Sequence, residues 1–165
     1  MENMPSRPIN VLMVSTSYPS NLSDWRGLFI RHLADALARR KDIHLNLWVP
    51  SGEIHSSASL ATTSEEEEWL SVLMKSGGIA HLLRSGGVGT VIKPVELLTH
   101  LHRAYRRLSP QTDVYHIIWL QNALPLSNDG KPALITVLGT DLQLLRLPLK
   151  STFIRYLCKR RPVVI

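Results

Sequence analysis

Residues 9–14 (INVLMV), 15–27 (STSYPSNLSDWRG), 28–40 (LFIRHLADALARR) and 43–50 (IHLNLWVP) together decide the fold. The first of these is short, apolar and rich in strand formers, and it is bounded by Pro8 and by the turn formers Ser15 to Ser20. It reads as a buried strand of the parallel type. In the third, Ile30, Leu33, Ala34, Leu37 and Ala38 recur at helical spacing, with Arg31, Asp35 and Arg39 facing outward. That helix is expected to begin near Asp24, a good N-cap residue, and to end at the Arg39–Arg40–Lys41 run. Ile43, Leu45, Leu47 and Val49 then alternate with His44, Asn46 and Trp48 up to Pro50, which gives a second strand. Strand, helix and strand in this order form a βαβ unit with a right-handed crossover.

The rest of the chain continues the alternation. Residues 51–64 are rich in Ser, Ala and Thr and read as a loop. EEEEWLSVLMK (65–75) begins with acids and ends with Lys75, the charge order that suits a helix dipole, and its acidic run reads as a solvated helix start. Two glycine pairs follow, Gly77–Gly78 and Gly86–Gly87. Pro94 is then expected to open a helix whose stripe is Val95, Leu98, Leu101, Tyr105 and Leu108. DVYHIIWL (113–120) and ALITVLG (133–139) are further strands, a leucine-rich and partly basic helical stretch comes next, and Pro162–Val163–Val164–Ile165 opens one more strand. The prediction is an α/β domain, a Rossmann-like and mainly parallel sheet flanked by helices.

Composition narrows the classes of function. The 165 residues are 44% hydrophobic and 19% charged, as in an ordinary globular domain with a core of its own. A single Cys158 excludes an internal disulfide or a cysteine-based metal cluster. No apolar run reaches the roughly 20 residues of a membrane span, and the N-terminus lacks a signal-peptide pattern, so a cytoplasmic location is expected. The net charge of +6 collects in two places, Arg103, Arg106 and Arg107, and a late group of Arg146, Lys150, Arg155, Lys159, Arg160 and Arg161. This suits solvated helix ends or an anionic membrane surface. Nucleic acid is not expected, because aromatics are only 6% and no reader motif is present.

In open α/β sheets a ligand sits beyond the carboxyl ends of the strands. Three loops qualify here: Ser15 to Gly27, His116 to Asn122, and Gly139 to Asp141. Gly27 precedes a helix, where free N–H groups receive phosphate or sugar, or it is simply a turn former. SGGVG at 85–89 lacks a strand–loop–helix setting and reads as a linker. His116, near a strand end, is either a hydroxyl ligand or base in the cleft or a strand histidine satisfied by a neighbour. Asp141 either accepts hydrogen bonds from a sugar or, with Thr140, caps the next helix. The remaining histidines show no metal-ligand clustering, and no metal is expected.

The order of these pieces resembles the N-terminal domain of GT-B glycosyltransferases of group 1, the retaining, family 4-like, nucleotide-sugar-dependent type. Gly27, Phe29, Ala34 and Leu37 fit the family's G-x-F-x-x-x-x-A-x-x-L helix, which follows a serine–tyrosine–proline-like loop. DVYHIIW is similar to its aspartate–apolar–histidine strand, and TVLGTDLQLL to its histidine–glycine–threonine–aspartate turn. Leu138 stands where the family often has histidine, and Gly27 is alone where a glycine pair is usual. The likeness spans most of the chain outside 51–93. It implies that residues 1–165 are one acceptor-side domain, cut before its closing elements and without the C-terminal nucleotide-sugar domain and its paired glutamates. The implied activity is transfer of a sugar from a nucleotide sugar to a saccharide or glycolipid acceptor, as in polysaccharide biosynthesis. By the same likeness Ser17 and Gly27 would face the donor phosphates, His116 would be the catalytic contact, and Tyr18, Thr140 and Asp141 would bind the acceptor. This domain would hold no cofactor itself, the late basic helix would approach a membrane from its cytoplasmic side, and the fragment alone would be inactive. The rival class is a stand-alone α/β module with a basic surface for a membrane or nucleic acid. A receiver domain is disfavoured by Ser15 and Thr16 where acids are needed, and a cofactor-binding Rossmann domain by the missing glycine fingerprint.

Overall fold

Asn10 apart, the strand at 9–14 is a run of apolar side chains on both faces, so it must lie inside a sheet covered on both sides. The computed structural model of the protein, which describes residues 7–77, 89–138 and 150–164, places it there. Strands β1 (Ile9–Val14), β2 (Ile43–Trp48), β3 (Ala58–Leu60), β4 (Val114–Ile118), β5 (Ala133–Thr136) and β6 (Val163–Val164) form one sheet in the order β3-β2-β1-β4-β5-β6. Every neighbouring pair is parallel. The architecture is a Rossmann-like α/β fold, with helices α1 (Leu28–Ala38), α2 (Ser64–Lys75), α3 (Gly89–Leu108) and α4 (Lys150–Arg160) in the connections.

Alternation along β1 divides the core. Val11 and Met13 join Leu45, Leu47 and Ile118 beneath Ile30, Ala34 and Ala38 of α1. Leu12 and Val14 join Trp48, Tyr115 and Ile117 beneath α2 and α3. Leu33 and Leu37 pack at the margin of the first cluster, so the α1 stripe is the one its spacing predicts. Trp48, on the polar side of the β2 alternation, is fully buried, because the second layer of helices covers that face too.

Several expectations are corrected. Helix α1 begins at Leu28 behind Gly27; Asp24 does not cap it, because its carboxylate is taken by Arg26 and the Ser20 amide. Residues 51–64 are not all loop: Ala58–Leu60 pairs with β2 as an edge strand too short to show periodicity. Helix α2 starts in a capping box between Thr63 and Glu66, and Glu66 is buried against Arg107 at 2.7 Å, so the acidic run is not wholly solvated. Pro94 lies inside α3, whose buried stripe is Leu97, Leu101, Ala104, Tyr105 and Leu108, while Val95 is exposed. The segment 85–88 lies outside the described residues, and Gly89 belongs to α3. Among the described residues no helix is long and apolar enough to cross a membrane.

The amino ends of β4, β5 and β6 are fastened by one polar cluster. Asp129 accepts hydrogen bonds from the hydroxyls of Tyr115 and Ser109 and pairs with Arg161 at 3.3 Å. Arg161 is not part of a solvated basic helix end: its side chain is 2% exposed, donates to the carbonyls of Ser127 and Lys131, and lies over the Tyr115 ring. Lys131 donates to the carbonyls of Ser109 and Thr112. Burial pushes the Asp129 carboxyl up, but the Tyr115 and Ser109 hydroxyls, the Lys131 amide and Arg161 outweigh it and hold Asp129 below the ordinary 3.8. A carboxyl lowered in the folded state contributes stability above its unfolded value and loses it as pH falls through the folded one. Asp129→Asn is therefore expected to cost about 2–4 kcal/mol at neutral pH, since it leaves Arg161 buried and uncompensated. Urea unfolding at a series of pH values checks this: the gap from wild type should narrow below about pH 3.9.

Candidate functional site

Because β1 connects towards β2 on one side and β4 continues towards β5 on the other, the loops after β1 and β4 part at the carboxyl end of the sheet. This is the topological switch point at which open α/β sheets bind ligands. The loop after β1 begins with a tight turn: Ser15 Oγ donates to the Ser17 carbonyl at 2.8 Å and accepts from the Ser17 amide at 3.1 Å. Serine makes such local bonds readily, and here they remove the buried Ser15 hydroxyl from competition for a ligand.

Gly27 closes the loop. Its φ of +78° lies in the left-handed region, and a Cβ would stand 3.3 Å from the Ser17 carbonyl carbon and the Tyr18 nitrogen. Only glycine meets both demands without strain. The helix behind it has no side-chain cap and no acid in its first turn. Gly27 thus packs against the Ser17–Tyr18 backbone. Tyr18, by contrast, is buried among Ile30, Ala34 and Val49, and its hydroxyl reaches only the Glu53 carbonyl at 3.4 Å. Burial, with a contribution from Asp35 and a partial offset from Arg31, raises its pKa to about 12, so it stays protonated and can act only as a hydrogen-bonding group.

The loop after β2 is locked onto this one. A Cβ on Gly52 would lie 2.3 Å from the Pro19 carbonyl oxygen, the Glu53 amide donates to the Ser20 carbonyl, and Arg31 of α1 pairs with Glu53 at 3.1 Å.

Across the switch point, β4 ends in a strained turn. Trp119 has φ 74° and ψ 124°, the single positive φ of a non-glycine residue among the described residues. Such backbone is costly and concentrates at ligand sites. Three buried polar atoms here have no hydrogen-bond partner among the described residues: Trp119 Nε1, Gln121 Oε1 and Asn122 Oδ1. The turn is held in place from behind, by Asn122 Nδ2 donating to the Ile118 carbonyl and the Tyr105 hydroxyl donating to the Asn122 carbonyl, each at 2.8 Å. The loop 116–122 stands out in the sequence by its position, but Trp119, Gln121 and Asn122 do not. The available signal is the polar pair Gln121–Asn122 directly behind an apolar strand.

His116 is the third residue of β4 rather than its last. It is buried on the α1 face of the sheet, and its Nε2 lies 3.1 Å from Thr136 Oγ1 on β5. Burial lowers its pKa below 6.5, so the ring is neutral at neutral pH. That geometry realises the alternative in which a neighbour satisfies the histidine. Thr140 and Asp141 lie outside the described residues, as does Gly139. Among the described residues, no group of three or more His, Cys, Asp or Glu side chains is placed to hold a metal ion.

Compared with protein-family models, with curated proteins and with solved structures, the chain has no match.

Two measurements test this geometry. Gly27→Ala should lower stability by about 1–2 kcal/mol, the cost of a left-handed alanine, with crowding against Ser17 added to it; thermal or urea unfolding reads the change. For His116, an NMR titration of the imidazole should give a midpoint below 6.5, and Thr136→Val should alter its ring-nitrogen shifts, which an exposed and unpartnered histidine would not do.

Proposed function

We propose that the chain is the N-terminal, acceptor-side half of a GT-B glycosyltransferase, which acts with a second Rossmann-like half that carries the nucleotide sugar. The observation that carries this reading is the switch point: a parallel sheet of order 3-2-1-4-5-6 in which the Ser17–Gly27 loop and the strained Trp119 turn, with its unpartnered polar atoms, stand at the ends of neighbouring strands. The resemblance of residues 9–50 and 113–120 to the group 1 enzymes agrees with it.

In this reading the open N-terminus of α1 behind Gly27 receives the donor's phosphates, because uncapped N–H groups and the helix dipole favour an anion. The strained Trp119 turn would border the acceptor, with Trp119 Nε1, Gln121 Oε1 and Asn122 Oδ1 buried within it. His116, neutral and tied to Thr136, acts as a positioning residue under that turn. Thr140–Asp141 would complete the acceptor side. The basic α4, with exposed Arg155 and Lys159, would meet an anionic membrane that carries a lipid-linked acceptor.

The test compares the 165-residue chain with the longest natural protein that contains it, assayed against a panel of UDP-, GDP- and ADP-sugars. The longer protein should show donor-dependent transfer or hydrolysis, and Gly27→Ala in it should raise the donor KM. The 165 residues alone should show neither activity. Sugar transfer by the isolated chain, or a longer protein inert toward every donor, overturns the proposal.

A further inference from the structure

The charges of the chain are sorted along the strand direction. Helices α1, α3 and α4 return to the amino end of the sheet through the short connections 39–42, 109–113 and 161–162. Their last turns therefore converge on the starts of β2, β4 and β6. Backbone bonds tie that end together: the Ile9 amide donates to the Asp42 carbonyl, and the Asp113 amide to the Asn10 carbonyl. Helix α1 packs on one face of the sheet and α3 on the other.

Among the described residues, each acid at this end is already matched. Asp42 pairs with Arg40 at 2.6 Å, Asp113 with Arg7 at 2.7 Å and Asp129 with Arg161 at 3.3 Å. Further cations remain: Arg39 and Lys41 behind α1, Arg103 and Arg106 in the last turns of α3, and Lys159 at the end of α4. All are exposed, and none has an ion pair among the described residues. The helix dipole alone favours basic residues at C-termini, but three helix ends supply only about −1.5 charges between them. Each of these side chains brings a full positive charge, so an excess is left. The opposite end does not share it: there Arg26 is offset by Asp24 and Arg31 by Glu53.

The excess is spread in two dimensions. With the sheet between them, α1 and α3 stand roughly 20 Å apart. A plane of anionic headgroups matches such a spread, and each Lys or Arg near an anionic bilayer adds about fivefold in binding. Duplex nucleic acid calls for a basic element shaped to a groove, and single strands for aromatic side chains on which bases stack. Of the exposed aromatics, Trp25 and Phe29 lie at the other end of α1 and Tyr156 on α4.

We infer that the amino end of the sheet docks on an anionic lipid surface through Arg39, Lys41, Arg103, Arg106 and Lys159, with the crevice at the carboxyl end turned toward the water. Binding is electrostatic and inserts no segment. The inference does not rest on the transferase reading, since it is tested on the 165-residue chain without donor or acceptor.

The experiment is sedimentation of that chain with phosphatidylcholine vesicles, with and without phosphatidylglycerol. Binding should require the anionic lipid and should fade as salt rises above about 0.15 M, where the Debye length is already about 8 Å. Lys41→Glu and Arg106→Glu, one on each side of the sheet, should each weaken it at least fivefold. Lys75→Glu makes the same change in net charge beside the loops after β1 and β2, and should weaken binding less than twofold. Thermal unfolding shows that each variant is folded. Trp25, 82% exposed at the crevice end, should stay open to acrylamide quenching in the bound state. The inference is overturned if anionic vesicles bind no better than neutral ones, or if Lys75→Glu weakens binding as much as the two amino-end variants. It is equally overturned if binding shields Trp25, or if mixed-sequence duplex DNA binds more tightly than the anionic vesicles at the same salt.

Discussion

The structure depends on β1 being hydrogen-bonded along both edges, in register with β2 from Ile9 to Val14 and with β4 from Val11 to Val14. A strand paired on both sides and apolar on both faces has no solvent-facing edge, so both layers of helices are needed before it is stable. The same double pairing sends the chain away in opposite directions, and the loops that leave its carboxyl end part from one another. The crevice thus follows from the sheet order, independently of what binds there.

The two ends of the sheet are built differently. At the amino end of β4–β6, Arg161 is paired with Asp129, which also accepts from the Tyr115 and Ser109 hydroxyls and the Lys131 amide, while Arg161 Nε and Ser127 Oγ stay without a partner among the described residues. At the carboxyl end, Trp119 is held in an unfavourable backbone conformation, and polar atoms of Trp119, Gln121 and Asn122 lack partners among the described residues. Strain and unmet hydrogen bonds persist only where the surroundings over-determine them. Here those surroundings are the Tyr105 hydroxyl and the Ile118 carbonyl behind the turn.

The sequence legibly specifies what repeats. The run of apolar residues in β1, the stripe of α1 and the alternation in β2 are periodic signals, and the elements follow them. Short or singular features escape that reading. A three-residue edge strand such as β3 has no period, and its existence depends on an unpaired edge of β2. Glu66 looks solvated beside three other glutamates, and it is buried only because Arg107 arrives from 41 residues away. Pro94 misled because a proline is tolerated in a first turn and here sits deeper. At the site, Gly27 was legible as a glycine before a helix, whereas the strain at Trp119 belongs to tertiary packing and leaves no trace in residue type. His116 was visible as a polar residue in an apolar strand, but its partner Thr136 depends on the β4–β5 register.

The pairing of β1 also sets an order of events in time. Its bond to β2 joins residues 34 apart, Ile9 with Ile43, whereas its bond to β4 joins residues 103 apart, Val11 with Val114. Closing the threefold longer loop costs about 1 kcal/mol more chain entropy before any contact is gained. The first βαβ unit can therefore assemble on local contacts, while the docking of β4, and with it the switch point, belongs to the slow, late part of folding. The crevice between those two strands exists only once the most distant pairing in the central sheet has closed.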